Sequence, residues 1–177
     1  MNAIFLDKDG TLIEDKNYSY KIKDVKFIPR VFQGLKLLKE KNYNLFIITN
    51  QSGIAKGYFT KKDIERQLDF IVKNLKKKGI KILKYSYCAH SPEENCECRK
   101  PKTKMFYNLI KKYKINIKKS FVIGDKLTDI EAGKRLDIKT ILVMSGKTKK
   151  PTHQKISPDF IAKDLYQASK IIANLKN

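Results

Sequence analysis

Two carboxylates and a glycine follow directly on an apolar run near the start of this 177-residue chain. The run covers residues 3–6, and Asp7, Asp9 and Gly10 come after it. Carboxylates two residues apart can both face one site if the chain turns there. One can then attack an electrophile while the other transfers a proton. A simple turn, in which Asp and Gly serve only the backbone, is the alternative.

Three cysteines and one histidine lie within eleven positions: Cys88, His90, Cys96 and Cys98. Three thiols and one imidazole form a complete tetrahedral Zn²⁺ ligand set, which leaves no position open for a substrate. We therefore predict a structural zinc site on one loop. Buried free cysteines beside an unrelated histidine, or a redox pair, are the alternatives. Because Arg99 and Lys100 follow the last ligand, the zinc would fix where these two cations point.

The elements that must position these residues are five short apolar runs with amphipathic stretches between them. The runs are typical of strands buried on both faces, and they cover residues 3–6, 45–48, 82–87, 121–123 and 140–144. Apolar residues recur at helical spacing in residues 31–38, 64–75, 105–113 and 165–175. This alternation predicts an α/β fold with three α/β/α layers, in which helices cover both faces of a mainly parallel sheet. We expect a single domain over residues 1–177.

Polar residues end three of the predicted strands. They are Asp7, Asp9, Thr49, Asn50, Gly124 and Asp125. Because active sites of such folds form at the carboxyl ends of the strands, two separate strands would supply carboxylates to one site. This convergence indicates an enzyme active site.

The composition is strongly basic, with 39 Lys and Arg against 18 Asp and Glu and a formal net charge of +21. The lysines are spread along the chain, which favours solvated helix faces; steering of a phosphorylated substrate and a nucleic-acid surface are the alternatives. No apolar run approaches the roughly 20 residues that cross a bilayer, and the N-terminus does not resemble a signal peptide. We expect a cytoplasmic protein without a membrane partner. His153 is expected to be exposed.

Four segments resemble, in order, the motifs of the haloacid dehalogenase (HAD) superfamily of phosphotransferases. Residues 5–12 resemble the first motif and residues 47–50 the second. Lys100 resembles the lysine of the third motif, and residues 122–125 with Asp129 resemble the acidic fourth motif. In this resemblance Asp129 orients the loop or a metal-bound water, or contacts the metal directly.

The resemblance implies a reaction through an aspartyl-phosphate. Asp7 would attack phosphorus; Asp9 would protonate the leaving oxygen and then deprotonate the water that hydrolyses the intermediate. Mg²⁺ would lie between Asp7, the backbone carbonyl of Asp9 and Asp125. Thr49 and Lys100 would bind the non-bridging oxygens of the phosphoryl group.

The string from Cys88 to Pro101 narrows the resemblance to small HAD phosphatases that lack a large cap domain. These are the D-glycero-D-manno-heptose 1,7-bisphosphate phosphatases and the histidinol-phosphate phosphatases. Residues 49–60, residues 13–31 and Lys126 are similar to the heptose enzymes. The short zinc loop resembles the histidinol-phosphate type, and its Cys-Ala-His start departs from the Cys-Pro-His of many heptose enzymes.

The heptose resemblance implies a substrate with two phosphates, for which Arg99 is the first candidate to bind the distal one. By position, substrate-binding residues are Asp15, Asn17, Tyr18, Asn50, Gln51, Ser52, Arg99 and Lys126.

The predicted function is that of a Mg²⁺-dependent phosphoric monoester hydrolase. It would remove a phosphate, the one at C7, from D-glycero-D-manno-heptose 1,7-bisphosphate in the synthesis of nucleotide-heptose precursors of lipopolysaccharide. A histidinol-phosphate phosphatase is the first alternative. A nucleic-acid 3′-phosphatase or a zinc-stabilised nucleic-acid binder is the second. We expect a monomer whose partner is a small phosphorylated sugar.

Overall fold

A computed structural model describes residues 1–147 and 156–175, so His153 lies outside the described residues. The strands are β1 (Ala3–Leu6), β2 (Asn44–Asn50), β3 (Ile82–Cys88), β4 (Phe121–Gly124), β5 (Lys139–Val143) and β6 (Phe160–Ala162). The helices are α1 (Val31–Glu40), α2 (Lys61–Lys77), α3 (Lys104–Tyr113), α4 (Leu127–Arg135) and α5 (Leu165–Asn174). Within these ranges, no helix combines the length and the apolar character that are needed to cross a membrane.

The strands form one parallel sheet with the order β3-β2-β1-β4-β5-β6. From β1 the chain moves outward to β3, then returns to the middle and moves outward the other way from β4. The strand order therefore reverses between β1 and β4, where Leu6 lies opposite Ile123. Ligands of open α/β sheets bind outside the carboxyl ends of the strands at such a point. Asp7 follows β1 there, and Asp125 follows β4.

Successive residues of β1 enter two separate cores, one on each face of the sheet. Ile4 and Leu6 pack with apolar residues of α1, α2 and α5, whereas Ala3 and Phe5 pack with apolar residues of α3 and with Ala132 of α4. A strand that is buried on both faces has no reason to alternate apolar with polar residues. This packing explains the uninterrupted apolar run and confirms the predicted three layers and mainly parallel sheet.

Two elements, α4 and β6, lie outside the predicted set. The buried residues of α4 are Asp129, Ile130, Ala132 and Gly133, of which one is a large apolar residue. Its helical periodicity is therefore weak. β6 has three residues, too few for a pattern. The other predicted elements are present, with ends that differ by a few residues; β5, for example, begins one residue before the predicted run.

Candidate active site

Three buried carboxylates meet where the strand order reverses: those of Asp7, Asp125 and Asp129. One oxygen from each carboxylate lies within 4.8 Å of the other two, and none of the three residues is more than 5% exposed. Asp129 comes from the first turn of α4, where its Oδ2 accepts a hydrogen bond from the Lys126 backbone N–H at 3.1 Å. Like charges this close repel, so cations are needed to keep the cluster ionised.

Lys100 supplies one such cation. Its Nζ lies 2.8 Å from Asp7 Oδ1 and 2.5 Å from Asp129 Oδ1, and it donates to the Ile48 carbonyl at 2.7 Å. Burial favours the neutral amine, but the two carboxylates outweigh it and raise the pKa of Lys100. Asn50 holds the Lys100 main chain: its Oδ1 accepts from the N–H at 3.1 Å, and its Nδ2 donates to the carbonyl at 3.0 Å.

The two carboxylates of the first motif have pKa values that move in opposite directions. Burial alone would raise the pKa of Asp7, but Lys100 and Lys126 outweigh it and lower that pKa below its usual value. At Asp9, burial exceeds the attraction of Lys8 and the pKa is raised. A lowered pKa suits a carboxylate that acts as a nucleophile, and a raised pKa suits one that donates a proton.

Asp125 has the environment of a cation ligand. Burial, and then repulsion by Asp7, raises the pKa of Asp125 to about 7. Its Oδ2 accepts a hydrogen bond from the Lys147 backbone N–H at 3.0 Å, whereas its buried Oδ1 has no hydrogen-bond partner among the described residues. Lys126 Nζ lies 3.9 Å from this oxygen, and a buried carboxylate oxygen without a hydrogen bond costs free energy. The oxygen donors of Asp7 and Asp125 therefore fit a hard divalent cation such as Mg²⁺.

Two glycines allow the main chain to approach Asp125 closely. A Cβ at Gly10 would lie 2.5 Å from Asp125 Oδ2, and a Cβ at Gly146 would lie 2.0 Å from it. Both distances are far inside van der Waals contact. Ser145 Oγ also donates to the Gly10 carbonyl at 2.7 Å. The loop after β5 thus packs against the first motif and encloses Asp125.

The predicted metal ligands of the cysteine segment converge on one point. Cys88 Sγ lies 3.5 Å from His90 Nδ1, 3.5 Å from Cys96 Sγ and 3.1 Å from Cys98 Sγ. All four ligand atoms lie within 4.8 Å of one another, and the three cysteines are free. Zn–S bonds of about 2.3 Å imply sulfur–sulfur separations of about 3.8 Å in a tetrahedron. The cluster is therefore compatible with a zinc site after a small outward shift.

A cleft of about 410 Å³ opens beside Asp9, and the buried Asp7, Asp125 and Asp129 are not among the residues that line it. It is lined by Asp9, Asp15, Asn17, Tyr18, Asn50, Gln51, Ser52, Arg99, Lys126, Thr128 and Lys147. All eight residues that the sequence assigns to substrate binding are in this set. The structure therefore brings together segments that are distant in sequence, such as Asn17 and Lys147, which are 130 positions apart.

Thr49 lies behind the cleft and not on its surface. It is 1% exposed, and its Oγ1 accepts a hydrogen bond from Gln51 Nε2 at 2.9 Å. The same nitrogen donates to Asp9 Oδ2 at 3.0 Å. Thr49 and Asp9 thus share one amide group, and the predicted contact of Thr49 with a phosphoryl oxygen stays a prediction.

A family model described as HAD-hydrolase-like matches residues 97–168. The chain is 37% identical to the D-glycero-alpha-D-manno-heptose-1,7-bisphosphate 7-phosphatase of Photorhabdus laumondii, with 97% of each chain covered. It is 42% identical to the enzyme of the same name from Campylobacter jejuni, over 83% of this chain and 84% of that one. The chain belongs to this family of HAD phosphatases.

The fold of this phosphatase is also found in solved structures. The D,D-heptose 1,7-bisphosphate phosphatase from B. bronchiseptica, complexed with magnesium and phosphate, superimposes with a TM-score of 0.88 at 24% identity. The match covers 97% of this chain and 98% of that one. At this level of identity, the likeness shows the shared fold.

Two residues of the phosphatase cleft, Thr128 and Lys147, lie outside the predicted set. Lys147 Nζ donates to Asn17 Oδ1 at 2.6 Å and lies 3.5 Å from Asp15 Oδ2. Lys126 Nζ also lies 3.5 Å from Asp15 Oδ2. Lys147 follows the carboxyl end of a predicted strand, so the criterion that points to the other site residues could have found it. Thr128 lies on α4, a helix that the apolar pattern does not reveal.

Proposed function

We propose that this protein hydrolyses the C7 phosphate of D-glycero-D-manno-heptose 1,7-bisphosphate with Mg²⁺ as cofactor, in the synthesis of nucleotide-heptose precursors of lipopolysaccharide. Relatives at 36–42% identity are named for this 7-phosphatase activity. The observation that carries the proposal is one cleft that holds Asp9 together with the cations Arg99 and Lys126. Two cations beside a proton donor suit a substrate with two phosphates.

The first step transfers the phosphoryl group to Asp7. A carboxylate oxygen of Asp7 bonds to phosphorus while the bond between phosphorus and the C7 oxygen breaks, and Asp9 donates its proton to that oxygen. Lys100 offsets the repulsion between Asp7 and the phosphate dianion, because its ammonium lies 2.8 Å from Asp7 Oδ1. Mg²⁺, held by Asp7, the Asp9 carbonyl and Asp125, would neutralise charge on the phosphoryl oxygens.

The second step returns Asp7 to its starting state. Asp9, which is now a carboxylate, takes a proton from water as the water oxygen attacks phosphorus. The bond between phosphorus and the Asp7 oxygen breaks, and inorganic phosphate leaves. Gln51 Nε2 donates to Asp9 Oδ2 at 3.0 Å and keeps the carboxyl group at the cleft through both steps.

The distal phosphate and the sugar would bind along the rest of the cleft. Arg99 is the distal-phosphate residue in this proposal, because it lines the cleft and its Nη1 donates to the His90 carbonyl at 3.2 Å. That bond fixes the side chain to the cysteine segment. We propose that this segment holds a structural zinc ion through Cys88, His90, Cys96 and Cys98.

The remaining expectations concern the whole protein. We propose that the chain acts as one domain over residues 1–177, as a monomer and in the cytoplasm. The parallel sheet and its two flanking cores support the single domain for the described residues.

Phosphate release in the presence of Mg²⁺ tests the proposed substrate. The candidates are both anomers of D-glycero-D-manno-heptose 1,7-bisphosphate, histidinol phosphate and a 3′-phosphorylated oligonucleotide. We expect a kcat/KM preference for a bisphosphate of about 100-fold, or about 2.7 kcal/mol of transition-state free energy. The heptose 1-phosphate product would identify C7 as the position. A preference for either other substrate would overturn the specificity while leaving the chemistry in place.

A further inference from the structure

Lys8, which lies between Asp7 and Asp9 in the sequence, has no exposed surface. Its Nζ donates to Gln67 Oε1 at 2.5 Å and lies 3.3 Å from Asp9 Oδ1. Gln51 donates to the other oxygen of the same carboxyl group. Asp9 thus has a cation beside one oxygen and an amide donor on the other.

Gln67 fixes the position of the Lys8 ammonium. It lies on α2 with no exposed surface, and its Nε2 donates to Ser19 Oγ at 3.2 Å and to the Lys21 carbonyl at 3.3 Å. These two bonds orient the amide group, so that Oε1 faces Lys8. The link runs from the segment that follows Tyr18, a cleft residue, through α2 to Asp9.

The side chain of Lys8 is separable from its backbone role. The Lys8 carbonyl accepts from Leu12 N–H at 2.9 Å and from Ile13 N–H at 3.1 Å, which shapes the loop whatever side chain is present. An ammonium group without exposure pays a large desolvation cost, which only close acceptors offset. For Lys8 the hydrogen-bond acceptor is Gln67. The carboxyl group of Asp9 contributes an ion pair, since its Oδ1 accepts no hydrogen bond from the described residues.

We propose that Lys8 and Gln67 are positioning residues for Asp9. Lys8 holds the Asp9 carboxyl group in the orientation from which it transfers a proton to the leaving oxygen, and Gln67 holds Lys8. This inference rests on the proposed function, in which Asp9 is the general acid.

The test compares two leaving groups in Lys8→Met, Gln67→Leu and the double variant. The heptose bisphosphate releases an alkoxide that needs a proton, whereas 4-nitrophenyl phosphate releases a phenolate that leaves without one. General acid catalysis contributes about 10²–10⁴-fold, so we expect Lys8→Met to lower kcat/KM for the bisphosphate by about 30-fold or more. We expect a decrease of less than about threefold for the aryl ester, whose bond cleavage does not use this proton.

The double variant separates positioning from stability. Each single variant leaves a buried polar group without its partner, whereas the double variant removes both groups and should recover much of the lost Tm. We expect kcat/KM of the double variant for the bisphosphate, relative to that for the aryl ester, to stay as low as in Lys8→Met. Leu68→Ala is the control, because this buried neighbour of Gln67 in the apolar core should lower Tm and affect both esters equally.

Equal decreases on the two esters in Lys8→Met, or activity that returns together with Tm in the double variant, would overturn the inference. If Lys8→Met does not fold, the double variant decides the question on the same two esters. Wild-type protein without activity on either ester would overturn the proposed function, and this inference with it.

Discussion

The carboxylate centre takes its residues from separate elements, whereas the cysteine cluster takes its ligands from eleven consecutive positions. Asp7 follows β1, Asp125 follows β4, and Asp129 lies in the first turn of α4. Cys88 ends β3, and the other three ligands of its cluster lie on the loop that follows. The sheet thus assembles the carboxylate centre. The cysteine cluster is assembled by the local path of the chain and, in our proposal, by a bound ion.

This difference predicts how each region responds to a substitution or to the loss of an ion. Buried apolar strands hold the carboxylate centre in place, so its charges can be changed while the fold remains. The cysteine loop lacks such support, since Cys96 and Cys98 are only partly buried. Loss of an ion should therefore affect the loop first. The two regions meet at Arg99 and Lys100, which follow Cys98 directly.

Asp7→Asn should give the largest effect on activity and one of the smallest on stability. Removal of the nucleophile should lower turnover by about 10⁴-fold or more, as in other enzymes with a covalent step. Lys100 keeps its contacts with Asp129 and with the Ile48 carbonyl, so Tm should change little. Phosphate release measures the activity, and a melting curve measures the stability.

Asp69→Asn, at an exposed carboxylate on α2, is the control that should retain activity. Appreciable turnover by Asp7→Asn would refute the assignment of the nucleophile.

Gly146→Ala tests whether the main chain after β5 maintains the cation site. The new Cβ would lie 2.0 Å from Asp125 Oδ2, so either the loop or the carboxylate must move. Because a displacement of about 1 Å can cost about 100-fold in rate, we expect a decrease of this order and a higher Mg²⁺ requirement. Titration of activity with Mg²⁺ measures both.

Gly79→Ala is the matched control for Gly146→Ala. Gly79 has a φ of +77°, but a Cβ there would meet nothing within 4 Å. The substitution should therefore strain the backbone and lower Tm without changing the Mg²⁺ requirement. Equal Mg²⁺ dependence of the two variants would contradict the role assigned to the loop after β5.

The two regions also differ in how far the sequence predicts them. The cysteine cluster is predictable in full, because its ligands are adjacent in sequence. Asp7 and Asp125 are predictable because each follows an apolar run whose parallel partner ends at the same edge. By contrast, Lys147 reaches Asn17 across 130 positions, and this contact depends on loop paths that apolar patterns do not encode. The contact between Lys8 and Gln67 also escapes prediction, because a lysine in a sequence is normally expected to be exposed to solvent.

Arg99→Ala tests the point at which the two regions meet. Hydrogen bonds to charged groups contribute about 1.5–3 kcal/mol, so loss of a distal-phosphate contact should raise KM for the heptose bisphosphate by about 10- to 150-fold. KM for 4-nitrophenyl phosphate, which has no distal phosphate, should change by less than about threefold. Steady-state kinetics on both esters measure the contrast. Arg66→Ala, at an exposed arginine on α2, is the control. Equal effects on the two esters would remove the distal-phosphate role.

Zinc removal should reproduce a weaker form of the Arg99→Ala phenotype. Arg99 donates to the His90 carbonyl, within the loop that the ion would hold, whereas Lys100 is held by Asn50, Ile48 and two carboxylates outside it. A zinc-selective chelator, with Mg²⁺ kept in excess, should therefore lower Tm and raise KM for the bisphosphate by about tenfold, less than the loss of a whole charged contact. Turnover of 4-nitrophenyl phosphate should persist, because the Asp7–Lys100 pair does not depend on the loop.

Metal analysis should find one zinc per chain, and added Zn²⁺ should restore the bisphosphate KM. If chelation removed zinc and turnover of both esters failed together, the carboxylate centre would depend on the cysteine loop, and the separation between the two regions would be wrong.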